Sequence, residues 1–283
     1  MESPNQLLLE RIKDWSTASD NVVALIMTGS HARRDDKVDQ LSDLDLEIIA
    51  DHPDELAADN GWLSQFGKVL VSQAFNEGQE YPTRLVFYEG GAKVDFTLAS
   101  TKRLTDMVHT RKLDSLYERG YNVIVDKRGV TKNLPAATGQ FPKAAPPTQQ
   151  EFTAAVEEFW FEAAHIPRYL ARDELWVAKF RDWTMKENLL NMLEWHAVAT
   201  SGVPIDVWYI GSHMKDWVAP EIWRELHDVY SRFDSKDSWR GLLATINLFR
   251  RLATETAERS GLDYSKGIDQ SVTQYITSFE GKF

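Results

Sequence analysis

The chain has 283 residues, 43 of them acidic and 32 basic, which gives a formal net charge of −11. That charge argues against a large nucleic-acid footprint, which needs clustered lysine and arginine, and it favours a cationic small substrate. The absence of cysteine excludes disulfides and thiolate metal sites. No apolar run approaches the roughly 18 residues of a membrane span, and the first residues lack the pattern of a signal peptide, so we expect a soluble cytoplasmic protein.

The N-terminal half is predicted to alternate short strands with helices. Residues 4–15 have the apolar spacing of an amphipathic helix. Strands are predicted at residues 22–27, 43–50, 69–72, 84–88, 93–98 and 122–126, and further helices at residues 53–63 and 101–117. The mixed order, with a hairpin inside it, indicates an α+β fold with a mixed sheet flanked by helices and argues against a doubly wound parallel sheet.

The first two predicted strands carry the strongest functional pattern. Gly29 and Ser30 follow the first strand, where they offer close backbone approach and N–H groups to a phosphate. Asp43 and Asp45 lie in the second strand, and because residues two apart point to the same side, their carboxylates are expected together. Such carboxylates repel each other, which favours a bound divalent cation, with Mg²⁺ the natural choice beside phosphates. Taken singly, a Gly-Ser turn and an exposed Asp-x-Asp strand end are common structural features.

This combination resembles the nucleotidyltransferase signature of the DNA polymerase β superfamily: an apolar residue, Gly-Ser, a spacer, then Asp-x-Asp among apolar residues. The resemblance implies a third carboxylate on a neighbouring strand, and Asp95 is the candidate. Asp95 stands between two apolar residues of the predicted hairpin, where aspartate is disfavoured and an unpaired charge has no structural justification. Two interpretations stay open, a salt bridge to Lys93 or Arg84, or a third metal ligand or general base.

Residues 135–148 contain four prolines and no helical or strand period, so we place a linker there between two domains, residues 1–134 and 149–283. The first is predicted to be a nucleotidyltransferase domain. In the second, apolar residues recur at helical spacing, which predicts a helical bundle whose many tryptophans lie mostly in the core. One or two of these tryptophans are candidates for stacking on a sugar or base.

The aromatic pattern of residues 183–196, together with Tyr209-Ile210-Gly211 and the following Lys215, is similar to the C-terminal domain of aminoglycoside 6-adenylyltransferases, the streptomycin-modifying enzymes. This resemblance covers nearly the whole chain. It implies that AMP is transferred from Mg²⁺-ATP to a hydroxyl of a streptomycin-type aminoglycoside, which releases pyrophosphate and inactivates the drug. Family members often carry arginine directly after Gly-Ser, where this chain has His31, so Arg33 and Arg34 are expected to serve the phosphates instead.

In this interpretation Asp43 and Asp45 hold Mg²⁺, and Asp95 orients or deprotonates the acceptor hydroxyl or binds the metal. The residues assigned to ATP are Gly29, Ser30, Arg33 and Lys215. Lys215 has an equally weighted alternative as a solvated surface lysine. The implied partners are ATP and a cationic aminoglycoside, with no nucleic acid and no membrane, and the protein is expected to be a monomer.

Two other functions stay open. One is a nucleotidyltransferase with a different small-molecule or protein hydroxyl as acceptor, and the other is a non-catalytic nucleotide-binding regulatory module. The presence of all three carboxylates weighs against the second. The histidines show no H-E-x-x-H spacing, and the phosphate loop of P-loop enzymes and the Gly-rich fingerprint of Rossmann folds are absent, so those chemistries have no support.

Overall fold

The computed structural model describes residues 4–33, 37–78, 80–142, 144–207 and 209–283. The chain divides into two compact units, Met1–Phe141 and Pro142–Phe283. The predicted linker, residues 135–148, is therefore shared between the two units. Within the described ranges, the chain forms no helix that is both long and apolar enough to cross a bilayer.

The N-terminal unit is built on one six-stranded sheet in the order β3-β4-β5-β2-β1-β6. Its strands are β1 (Val22–Thr28), β2 (Leu44–Ala50), β3 (Val69–Phe75), β4 (Thr83–Tyr88), β5 (Lys93–Ser100) and β6 (Asn122–Asp126). The β2–β5 pair is parallel, and the other neighbouring strands run antiparallel. The α+β fold with a mixed sheet is thus confirmed, and each predicted strand is present with its ends shifted by at most three residues.

Helices cover both faces of this sheet, so that all seven residues of β1 are buried. From Ala24 to Met27, successive residues of β1 alternate between two apolar clusters, one on each face. The helices are α1 (Pro4–Ala18), α2 (Pro53–Ala58), α3 (Thr101–Thr110) and α4 (Ser115–Arg119), with 3₁₀ turns at Ser30–Ala32 and Gly61–Gln65. The ring of Trp15 in α1 stacks on Trp62 of the second 3₁₀ turn at 5.4 Å, and Trp62 contacts Phe96 of β5 at 5.0 Å, which joins α1 to the sheet.

Two predicted helices are wrong in extent. The helix predicted over residues 101–117 is interrupted, because Arg111 adopts a left-handed conformation with φ 53° and ends α3. The Asp114 side chain then accepts hydrogen bonds from the backbone N–H groups of Leu116 and Tyr117, which is the N-cap geometry that starts a new helix. The helix predicted over residues 53–63 likewise ends at Ala58 and is followed by a 3₁₀ turn.

The C-terminal unit is helical, as predicted. Its helices are α5 (Gln149–Leu170), α6 (Leu175–Thr200), α7 (Met214–Trp217), α8 (Pro220–Val229), α9 (Ser235–Ser260) and α10 (Lys266–Thr277). A capping box starts α5, in which Thr148 and Glu151 satisfy each other's backbone N–H groups. The core lies mainly between α5, α6 and α9, where the rings of Phe159 and Phe249 stack at 3.6 Å.

The tryptophans of this unit do not all belong to its core. Trp160 is fully buried. Four others are partly buried against the same cluster: Trp195, Trp217, Trp223 and Trp239. Trp176 and Trp183 on α6 are 80% and 58% exposed, so these two indoles contribute little to packing. Trp208 lies outside the described residues.

Candidate active site

The three predicted carboxylates meet at one edge of the sheet. The parallel pairing of β2 with β5 sets Asp45 opposite Asp95, and the antiparallel pairing of β1 with β2 sets Thr28 opposite Asp45. Asp43 comes just before the first residue of β2, so the strand begins one residue later than predicted. The structure therefore brings Asp43, Asp45 and Asp95 together beside the turn that starts at Gly29.

Gly29 is shaped for close contact with Asp45. Its φ is 63°, a left-handed conformation that glycine adopts without a steric penalty. A Cβ at this position would lie only 1.7 Å from Asp45 Oδ2. The side chain of Asp45 thus occupies the volume that any other residue at position 29 would need, and this explains physically why glycine stands directly after β1.

The turn after Gly29 adds polar groups next to the carboxylates. Ser30 begins the 3₁₀ turn, and its buried Oγ has no hydrogen-bond partner within the described part of the chain. Arg33 ends the turn, and its positive charge acts to lower the pKa of Asp45. The turn also contains His31, whose backbone oxygen accepts a hydrogen bond from Asn122 Nδ2 at 3.4 Å. Arg34, the second predicted phosphate contact, falls outside the described residues.

Asp95 is not the unpaired charge that the sequence suggested. Lys93 Nζ donates hydrogen bonds to Asp95 Oδ2 at 2.8 Å and to Asp43 Oδ2 at 2.5 Å. Lys93 reaches both carboxylates for two reasons. It lies two residues before Asp95 on the same strand, and because Leu44 pairs with Val94 in parallel strands, Lys93 and Asp43 occupy the two positions just before that pair. Arg84, the other candidate partner, instead donates to Asn60 Oδ1 and to backbone carbonyls of β4 and α2.

Burial and mutual repulsion raise the pKa values of carboxyl groups in this cluster. Burial raises the pKa of Asp45 to about 6, with further increases from the charges of Asp43 and Asp95 and partial compensation from Lys93 and Arg33. Burial also raises the pKa of Asp95, against the opposing effect of Lys93. Three carboxylates that share one ammonium and one guanidinium are an environment that favours additional cationic charge.

The donor set fits a hard divalent cation, although not in its present arrangement. Carboxylate oxygens are the ligands that Mg²⁺ takes from proteins, and Asp95 Oδ1 is buried with no hydrogen-bond partner among the described residues. Among those same residues, no three His, Asp or Glu side chains are grouped closely enough to hold a metal as they stand. The ammonium of Lys93 lies between two of the three carboxylates instead.

A second, buried group of charged residues, which was not predicted from the sequence, includes a residue of β2 close to this site. Glu47 is 1% exposed on β2, and its Oε1 lies 2.5 Å from Arg103 Nε. Arg103 also contacts Asp114 Oδ2 at 2.7 Å and packs over the rings of Tyr81 and Tyr117. Burial raises the pKa of Glu47 to about 7 despite the charge of Arg103. The sequence did contain an indication of Glu47, because it continues the every-second-residue spacing of the acidic residues Asp43 and Asp45.

The helical unit contains a cavity of about 1050 Å³. Two indoles, those of Trp183 and Trp223, line this cavity together with the carboxylate-bearing residues Glu187 and Asp216. Trp183 Nε1 donates to Glu187 Oε1 at 3.1 Å. The exposed Lys215 lies at its rim with its ammonium 4.9 Å from the Trp223 ring centroid, and its assignment to the triphosphate stays a prediction.

Comparison with known proteins places the chain in a family. The model of the streptomycin adenylyltransferase family matches residues 1–279. The chain is 24% identical over 279 residues to an aminoglycoside 6-adenylyltransferase from Bacillus subtilis (strain 168), covering 95% of both proteins. It is 23% identical over 281 residues to one from Campylobacter jejuni, covering 96% of this chain and 94% of the relative. A crystal structure of an aminoglycoside 6-adenyltransferase from Bacillus subtilis aligns with 99% of this chain and 100% of its own, at 20% identity and a TM-score of 0.48. This chain belongs to the streptomycin adenylyltransferase family of nucleotidyltransferase enzymes.

Proposed function

We propose that this enzyme transfers AMP from Mg²⁺-ATP to a hydroxyl of a streptomycin-type aminoglycoside, releasing pyrophosphate and inactivating the drug. The observation that carries the proposal is the meeting of Asp43, Asp45 and Asp95 beside the backbone of Gly29, in a chain whose family match spans residues 1–279. The acceptor is proposed from the relatives, which are named aminoglycoside 6-adenylyltransferases.

The residues around Gly29 and Asp45 are proposed to bind Mg²⁺ and the phosphates of ATP. Asp43 and Asp45 would hold Mg²⁺, which when bound neutralises charge that builds on the phosphate oxygens. The backbone N–H groups of the Gly29–Ser30 turn and the guanidinium of Arg33 would bind the outer phosphates. These contacts hold the α-phosphorus of ATP in line for attack and compensate the charge of the departing pyrophosphate.

Asp95 would act on the acceptor. As the hydroxyl oxygen forms its bond to the α-phosphorus, the bond to the bridging α–β oxygen breaks, and the hydroxyl proton passes to Asp95. The raised pKa of this carboxyl, caused by burial, suits a general base because it strengthens proton affinity. Asp95 Oδ2 already accepts a hydrogen bond from Lys93, whereas the buried Oδ1 has no hydrogen-bond partner within the described residues, so Oδ1 is the oxygen we assign to that proton.

The cavity of the helical unit supports binding of a cationic sugar. The exposed face of the Trp183 indole suits stacking on the C–H face of a sugar ring, and the carboxylates of Glu187 and Asp216 suit its ammonium or guanidinium groups. The nearby ammonium of Lys186 is already paired with Asp182 Oδ1 at 2.6 Å, which reduces its repulsion of a cation. We therefore propose this cavity as part of the acceptor site.

Product analysis tests the function. With ATP, Mg²⁺ and streptomycin, the wild-type enzyme should give pyrophosphate and an AMP-bearing drug, and Asp45→Asn should give neither. Release of ADP would identify a phosphotransferase and overturn the proposal. Product with another hydroxylated metabolite or a protein, but with no aminoglycoside, would favour the alternative acceptor. The monomeric state and the absence of nucleic-acid partners stay predictions.

A further inference from the structure

Lys93 contacts two of the three carboxylates in the cluster. Its ammonium bridges Asp43 Oδ2 and Asp95 Oδ2, at 2.5 and 2.8 Å, and so joins the residue before β2 to the middle of β5. The side chain is only 26% exposed. Two charge-assisted hydrogen bonds to two carboxylates are stronger than ordinary ones, so this contact holds both side chains in place.

We infer that Lys93 is a resident counter-ion that holds Asp43 and Asp95 before the metal arrives and that the metal must displace. The inference rests on the proposed function, which assigns a divalent cation to these carboxylates. An ammonium and a metal ion cannot both take the same faces of Asp43 Oδ2 and Asp95 Oδ2, because each is a compact positive charge. Lysine is suited to giving way, since its ammonium sits on a flexible four-carbon stem.

The surroundings of Lys93 distinguish it from an ordinary surface ion pair. After both hydrogen bonds are made, Asp95 Oδ1 remains buried and, within the described residues, has no hydrogen-bond partner. Asp45 gains no hydrogen bond from Lys93 and feels only its charge. The ammonium therefore neutralises only part of the cluster, and the remaining negative charge on Asp45 and Asp95 favours its replacement by a divalent cation.

Lys68, which also pairs with a carboxylate in the N-terminal unit, provides a control for the loss of one positive charge. Lys68 Nζ contacts Glu89 Oε1 at 2.8 Å, with side chains that are 70% and 63% exposed. Changing Lys68 to methionine removes one positive charge, as Lys93→Met does, but it leaves the carboxylate cluster intact. Any effect that both variants share is due to net charge, and any effect confined to Lys93→Met is due to its place between Asp43 and Asp95.

Calorimetric titration with Mn²⁺ alone, without nucleotide or drug, tests the inference. Lys93→Met should bind Mn²⁺ about tenfold more tightly than wild type, because the metal no longer has to break two charge-assisted hydrogen bonds. Lys68→Met should match wild type. Before Mn²⁺ is added, the melting temperature of Lys93→Met should be lower than that of wild type, and Mn²⁺ should raise it by a larger increment than in wild type.

Equal, weaker or undetectable Mn²⁺ binding by Lys93→Met would overturn the inference. Lys93→Arg provides a second variant that keeps the cation, and it should bind Mn²⁺ no more tightly than wild type; tighter binding would also overturn it. Because no turnover is measured, the outcome is separate from the proposed function. If Lys93→Met binds the metal more tightly but the wild-type enzyme makes no AMP-bearing product, the proposed function fails and the role of Lys93 stands.

Discussion

The carboxylate of Asp45 packs directly against the α-carbon of Gly29, so closely that a methyl group on Gly29 would lie 1.7 Å from Asp45 Oδ2. Gly29 belongs to the turn after β1, and Asp45 to β2. This contact places the proposed phosphate-binding turn directly beside the proposed metal ligand.

Gly29→Ala should therefore abolish AMP transfer and destabilise the protein. The added methyl must displace Asp45, and the backbone angles of Gly29 (φ 63°, ψ −151°) lie in a region open almost only to glycine, so alanine there carries a strain of about 1–3 kcal/mol. Gly129→Ala is the matched control, since Gly129 has φ 69° and, in the described part of the chain, open space where a methyl group would lie. It should show the strain alone, with wild-type turnover. Kinetics and chemical denaturation of both variants measure the difference, and an active Gly29→Ala would contradict the close contact.

Asp45→Asn should abolish AMP transfer and leave the fold intact. In the metal-free protein, the pKa of Asp45 is raised from 3.8 to about 6, chiefly by burial. A raised carboxyl pKa means that the folded state holds its proton more tightly than the unfolded state. Its stabilising contribution is therefore complete below pH 3.8 and is lost as the pH rises through 6.

The asparagine amide of this variant does not ionise, so the variant should escape this loss. At pH 8 without metal, Asp45→Asn should equal or exceed wild type in the free energy of unfolding, by at most about 3 kcal/mol for a shift of about two pH units. Urea denaturation at pH 4 and pH 8 gives the comparison. A variant that loses more stability than wild type between these pH values, or that keeps wild-type turnover, would rule out this role for Asp45.

Asp95→Asn separates the two interpretations of that residue. As a general base, Asp95 should contribute about 10²–10⁴ in kcat, with little effect on ATP affinity. As a purely structural partner of Lys93, its loss should lower the melting temperature and leave kcat nearly unchanged, since Lys93 keeps its bond to Asp43. Measuring kcat, ATP binding and Tm on this one variant decides between them.

Trp183→Ala should weaken acceptor binding, whereas Trp176→Ala should not. Both indoles are exposed on α6, but only Trp183 lines the cavity of the helical unit. Loss of a stacking indole should raise the KM for streptomycin by about tenfold, from a contact of about 1–2 kcal/mol, with the KM for ATP unchanged. Equal effects of the two substitutions would exclude this cavity from acceptor recognition.

Streptomycin binding should weaken markedly as salt rises. The chain carries 43 acidic against 32 basic side chains, and the drug is strongly cationic. Screening shortens the Debye length from ~10 Å at 0.1 M to ~3 Å at 1 M, so long-range attraction should be largely lost over that range. Titration at several NaCl concentrations measures this, and an affinity independent of salt would show that the acidic surplus plays no part.

The local pattern of the sequence was sufficient for the strands and for most of the candidate site. A continuous apolar run predicted β1, apolar residues around Asp43 and Asp45 predicted β2, and the period of two placed Asp43 and Asp45 on one side. The family resemblance directed attention to Asp95. Local periodicity could not reveal the left-handed Arg111 that breaks the third helix, because the energy of one residue in that conformation depends on what surrounds it.

The remaining features were decided by tertiary structure. The opposition of Asp45 and Asp95 depends on the register of two parallel strands separated by more than forty residues, and no local propensity specifies that register. The bridge from Lys93 to Asp43, the buried pair of Glu47 and Arg103, and the exposure of Trp183 likewise arise from packing between distant segments. A sequence determines which side chains are available and on which side of a strand or helix each one lies. Charge pairing and burial depend on distances between elements, and those distances exist only once the elements have packed.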